Sequence, residues 1–200
     1  MVIFGPMKAI CSMIALLSFA FLASCNTPPP VQRFPEVSYK HLAPIRLDVK
    51  TIETYSSFAS TFAPPQVEHL FPLPPGAAAE RWARDRLVAT GKEGRARFIV
   101  RDASVVQQRL PKSGGISGLI TTEQTDRYVA ELAVELIVND DLGQREGKTA
   151  ARASLSRTVP EDITLNGLEQ VWFEMTEALM KDLNAQLEAG VAGYLKPFLK

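Results

Sequence analysis

The chain has 200 residues, 46% of them hydrophobic, with 22 basic against 22 acidic side chains. That length suits one domain with appended segments, and a formal net charge of zero gives no electrostatic footprint for nucleic acid or an anionic surface as the main partner. Two cysteines, Cys11 and Cys25, exclude a dense disulfide framework.

Lys8 is the only charged residue before Cys25, and Ala9 to Ala23 is an uncharged, mostly apolar run. It is shorter than the ~20 residues that cross a bilayer as a helix and suits the core of a signal peptide. The run ends in Leu22-Ala23-Ser24-Cys25, which resembles the lipobox of bacterial lipoproteins. The resemblance implies cleavage before Cys25, a diacylglyceryl group on its sulfur and acylation of the new amine, typically with palmitate. Two or more acyl chains hold a protein stably on a membrane, since each buried CH₂ contributes ~0.8 kcal/mol. Asn26 is not the Asp that favours inner-membrane retention in enteric bacteria, so the resemblance further implies an outer-membrane lipoprotein facing the periplasm. Met7-Lys8 makes a more usual start than Met1, so either methionine stands as the initiator. The alternatives are an ordinary signal peptide with a chance cysteine and a retained anchor helix. With residues 1–24 removed and Cys25 acylated, no free thiol remains, and stability rests on the core alone.

Residues 25–44 read as a tether. Pro28, Pro29, Pro30, Pro35 and Pro44 favour extended, semi-rigid polyproline II, with Phe34 and Tyr39 the residues able to pack on the domain. The domain is expected over 45–196, with 197–200 as a tail. Ile45 to Thr54 alternates at Ile45, Leu47 and Val49 and predicts a strand. Tyr55 to Pro75 is a long loop rich in Phe and Pro, which either wraps the core or presents a partner-binding surface. Ala77 to Thr90 predicts a helix with Ala79, Trp82, Ala83 and Leu87 on one face and Gly91 as its stop. Arg97 to Val106 predicts a strand, and Gln107 to Asp126, with Gly114, Gly115 and Gly118, a flexible excursion.

Arg127 to Asn139 alternates most clearly, with Tyr128, Ala130, Leu132, Val134, Leu136 and Val138 inward and Glu131, Glu135 and Asn139 outward. A polar turn leads to a partner strand, Thr149 to Val159, whose Arg residues can pair with Glu across the wet face. The last element is an amphipathic helix from about Asn166 to Glu188, with Asn166 and Glu169 as a capping box. Leu168, Val171, Trp172, Met175, Leu179 and Leu183 form its apolar stripe. Gln170, Glu174, Glu177, Lys181, Asn184 and Glu188 form the solvated face, and Gly190 and Gly193 loosen the end. A one-faced sheet covered by two helices is an α+β two-layer sandwich with a small, mostly antiparallel sheet.

The Pro-rich entry to a Trp-containing helix, the RYVAELAVELIVND strand with its polar turn and the closing helix resemble the auxiliary lipoproteins of bacterial ABC-type transport systems and the lipopolysaccharide-assembly lipoprotein. This implies a non-enzymatic accessory subunit of an envelope transport or outer-membrane assembly system, with a protein partner in an envelope complex. No functional residue beyond Cys25 carries over. The other reading is a lipoprotein that binds a lipid or small ligand under its helices.

The search for chemistry turns up little. His41 and His69 lie in Pro-rich stretches without metal-ligand spacing. Gly115-Ile116-Ser117-Gly118-Leu119 lacks the second Gly of a nucleophile elbow. Asn139-Asp140-Asp141 with Gly143 lacks the alternating ligands of a calcium loop. No catalytic residue, metal site or cofactor is therefore expected. Partner contacts are expected in the two loops, at Phe62, Phe71, Ile116 and Leu119.

Overall fold

The computed structural model describes residues 33–111, 124–141 and 144–200. Cys25 and its lipobox, and Ile116 and Leu119 of the Gly-rich excursion, lie outside the described residues. The chain divides between Arg33 and Phe34, and every element below belongs to the stretch Phe34–Lys200.

The elements are strands β1 (Ile45–Leu47) and β2 (Thr51–Ser56), helix α1 (Pro75–Arg86), strands β3 (Leu87–Ala89), β4 (Arg95–Asp102), β5 (Val105–Arg109), β6 (Gln124–Asn139) and β7 (Glu146–Pro160), and helix α2 (Leu165–Tyr194). The fold is the expected α+β: two helices lie against a five-stranded sheet, and β1 and β3 form a small second sheet. β6 is the central strand. Along one side it pairs with β7 over its whole length; along the other it pairs with β4 and then β5, all antiparallel. β2 adds to β4 in parallel.

Period-two patterning carries β6. Ala130, Leu132, Leu136 and Val138 are fully buried against the helices, with Tyr128 and Val134 nearly so. On the other face Glu131 reaches Arg152 of β7 at 3.3 Å. Glu135 also lies on that face and yet is buried, held by Arg101 and Lys148. Hydrogen bonding from Lys148, then from Arg101, holds its carboxyl below the usual carboxylate range despite the burial.

Several expected boundaries move, each for a physical reason. The strand expected over 45–54 is two strands. β1 pairs with β3 and β2 with β4, and the chain swings between them at 48–50. The helix expected to reach Thr90 stops at Arg86. The next residues join β1 in parallel, Thr90 N–H donating to Leu47 O at 2.9 Å and Gly91 N–H to Val49 O at 3.0 Å. Gly91 is therefore a packing residue rather than a helix stop, since a Cβ there would sit 2.5 Å from the Asp48 carbonyl carbon. The single strand expected over 97–106 is β4 and β5, which share one edge of β6; β4 carries a bulge between Val100 and Asp102, and residues 103–104 separate it from β5.

α2 starts and ends differently from its pattern. Thr164, not Asn166, caps it, its hydroxyl accepting from Gly167 N–H at 3.1 Å. The helix then runs 30 residues, ~45 Å at 1.5 Å per residue, straight through Gly190. That glycine lets the helix touch β7: a Cβ there would meet Thr149 Oγ1 at 2.0 Å. The expected tail is also part of the unit. Phe198 is buried, Leu199 bridges Leu47, and Lys200 N–H donates to Arg46 O at 3.1 Å.

Candidate functional site

The segment 34–44, read from sequence as tether, lies on the two helices. Phe34 stacks on Phe173 of α2 with ring centroids 4.8 Å apart. Arg81 of α1 donates to Val37 O at 2.9 Å, Tyr39 N–H donates to Asp85 Oδ2 at 2.8 Å, and Arg86 Nε donates to Ala43 O at 2.8 Å. Proline removes donors from the segment, so its fixing falls to side chains of α1. Between residues 35–42 and α2 it leaves a cavity of about 470 Å³. Val37, Leu42 and Met180 give it apolar walls; Glu36, Glu177 and Lys181 give it a charged margin. His41 and Tyr39 also line it. Burial pushes the Tyr39 hydroxyl up to about 12, helped by Glu177 and Asp85 and opposed by Arg81, so the cavity holds a neutral phenol throughout the ordinary pH range.

Behind the cavity the helices are joined by a polar knot. Arg86 is 2% exposed. It donates to Asn184 Oδ1 and to Glu188 Oε1, each at 2.7 Å, while Trp82 Nε1 donates to the same Asn184 oxygen at 2.8 Å. The guanidinium lies 5.6 Å from the Trp82 ring centroid. Asn184 therefore turns toward α1 rather than to solvent, while Glu188 stays exposed, as its helical position suggested, and reaches Arg86 from the rim. The signal was present in α1: Arg86 falls four residues after Trp82 on the stripe of Ala79, Trp82 and Ala83.

The second candidate region is the loop 57–74. It is pinned at its base. Gln66 bridges Val106, Val67 N–H donates to Val105 O at 2.9 Å, and Gln107 N–H donates to Pro65 O at 2.9 Å. Glu68 is buried and accepts from the Ser60 hydroxyl and, at 3.3 Å, from Val105 N–H. The two aromatic residues expected to bind partners part company here. Phe71 is buried and stacks on Trp172 at 5.1 Å, so its side chain belongs to the core. Phe62 is 73% exposed, at φ 53°, beside His69 at 5.4 Å. His69 Nδ1 is buried without a hydrogen-bond partner among the described residues.

Among the described residues no group of three or more His, Cys, Asp or Glu side chains is placed to hold a metal, and no helix is long and apolar enough to cross a membrane. The cavity can bind by shape, by apolar contact and by hydrogen bonds from a neutral phenol and a lysine.

No protein-family model matches the chain, and no curated protein sequence matches it. Two solved structures are similar in outline. Rare lipoprotein B from Shewanella oneidensis is 13% identical at a TM-score of 0.34, with 71% of this chain and 94% of that one covered. Protein XCC0632 from Xanthomonas campestris is 13% identical at a TM-score of 0.22, with 74% of this chain and 97% of that one covered.

Proposed function

We propose that the chain is a lipid-anchored envelope lipoprotein. In this reading Cys25 carries the acyl chains, and the unit from Phe34 onward is a non-enzymatic accessory subunit of a transport or outer-membrane assembly system, facing the periplasm. The observation that carries the reading is the order Leu22-Ala23-Ser24-Cys25, a Pro-rich connection, then a folded unit that contains no cysteine.

Metabolic labelling with a fatty-acid probe tests the anchor. Label is expected on the wild-type chain and absent from Cys25→Ser, which should accumulate as uncleaved precursor; label retained by the Ser variant removes the reading. The cavity favours a second reading, a lipoprotein that carries an amphiphile or other small ligand. A volume of about 470 Å³ falls within the ~300–1,000 Å³ usual for ligand pockets. Co-purifying lipid that is lost in Met180→Trp, which fills the cavity, would favour it over the first.

A further inference from the structure

We propose that the loop 57–74 rests on the lipid surface, with Phe62 and Leu70 as its inserting side chains; this rests on the anchored reading above. Phe62 is the most exposed large apolar residue among those described, at 73%, and Leu70 is 53% exposed. Ala63, Pro64, Pro65 and Pro72 around them are exposed as well. From Ser57 to Pro74 the only ionisable side chains are Glu68 and His69, and Glu68 is buried and hydrogen-bonded. The loop thus shows water a surface with apolar anchors and no exposed carboxylate, which enters a headgroup layer at small desolvation cost.

The conformation of the loop is set before any contact. Phe62 N–H donates to Ser60 Oγ at 3.1 Å, and Gln66 Oε1 accepts from Thr61 N–H at 3.1 Å and from its hydroxyl at 2.9 Å. These bonds hold a phenylalanine at positive φ, a costly backbone state for a bulky residue, and aim its ring away from the core.

The occupant follows from where the chain leaves the described unit. Phe34, its first residue, stacks on Phe173, and the neighbouring Trp172 stacks on Phe71 of the loop. The entry of the connecting chain and the exposed loop therefore share the first turns of α2. Eight residues lie between Cys25 and Phe34, at most ~30 Å of extended chain from one to the other. An acylated Cys25 keeps this end within reach of the bilayer.

The test uses the full-length acylated chain in phosphatidylcholine vesicles whose acyl chains carry bromine, a contact quencher of tryptophan. Phe62→Trp and Leu70→Trp are the reporters, and Val88→Trp, itself exposed, is the control. Co-flotation with vesicles is scored first: a chain that does not float overturns the anchor and this inference together. For floating protein, quenching several-fold stronger at positions 62 and 70 than at 88 is expected. Equal quenching at all three positions overturns the loop contact and leaves the anchor standing. A photoreactive residue at position 62 in cells should give lipid adducts; adducts to protein alone would also overturn it.

Discussion

β6, β7 and α2 follow one another in the chain and pack on one another. The opposite strip is gathered from residues 34–50, 65–67, 87–91 and 198–200, stretches up to about the whole length of the unit apart. The first region is held by regular ladders and a continuous stripe: Trp172, Met175, Leu179, Leu183 and Leu187 are all buried under α2. The second is held by single bonds between short pieces, such as Asp48 N–H to Phe198 O at 2.8 Å and Lys50 N–H to Gly94 O at 3.0 Å. Regular elements far longer than one turn can be stabilised by neighbours in sequence, whereas three-residue strands exist only because a distant partner is present. The chain enters in the second region, the cavity lies between that region and α2, and the exposed loop is fixed through residues 65–67.

The strongest way to break this contrast is to remove the pivot between the regions. Trp82 is fully buried, touches Phe98 at 5.7 Å between ring centroids and hydrogen-bonds Asn184. Trp82→Ala should cost ~3–5 kcal/mol, read as a lowered urea midpoint. A cost no larger than that of a surface substitution would remove Trp82 from the core.

Gly190→Ala tests the close packing of α2 on β7. In an open helix the change would stabilise by about 1 kcal/mol, but here it should cost ~1–3 kcal/mol by overpacking against Thr149. The same change in a Thr149→Ala background should lose most of that cost, because Thr149 Oγ1 is the nearest atom. Equal costs in both backgrounds would mean that the helix does not touch β7 there.

Arg86→Met sharpens the comparison from the other side. It leaves Ala43 O without its donor and Glu188 without its ion pair, while Asn184 Oδ1 keeps Trp82 Nε1, and should cost about 1–3 kcal/mol. The loss should appear as faster amide exchange at Tyr39 and Leu42 before β6 is affected. Simultaneous loosening of β6 would show that the two regions open together.

The pH limbs separate the regions further. The carboxyl of Glu135 is lower in the folded chain than in the unfolded one. Its contribution is therefore present above the ordinary carboxylate value of ~4.3 and disappears as pH falls through the folded value. Glu135→Gln should flatten the acid limb. Tyr39 acts in the opposite sense. Its folded value is about 12, so its contribution is complete below ~10 and is lost as pH rises toward 12; Tyr39→Phe should flatten the alkaline limb. Smallest of all, Glu174→Ala on the exposed face of α2 should change stability by no more than ~0.5 kcal/mol.

How much of this was legible in the sequence follows the same division. The inward set of β6, the stripe of α2 and the α+β class were readable because a period of two or 3.6 persists over many residues. β3 was not. Leu87, Val88 and Ala89 continue a helical pattern, and only the backbone of residues 45–49 turns them into a strand. Nor was the packing of Phe198, since a terminal residue carries no period, while that of Phe34 and Tyr39 could be named only as an alternative within a tether. Gly190 was misread for a related reason: helix propensity marks it as an end, while contact with Thr149 makes it a requirement. Of the candidate site, Phe62 could be named from its setting of prolines. Phe71 could not be told apart from it, because their separation depends on Trp172, about a hundred residues away.

Amide hydrogen exchange on the intact chain tests the contrast most directly, because each amide reports the opening of its own element. The account predicts that β6, β7 and the Trp172–Leu187 stretch of α2 form the slowest-exchanging unit. Tyr39, Leu42, Val67, Thr90 and Lys200 should exchange faster through local opening. Uniform protection across both regions, or slower exchange in the gathered strip than in the β6–β7–α2 unit, would contradict it.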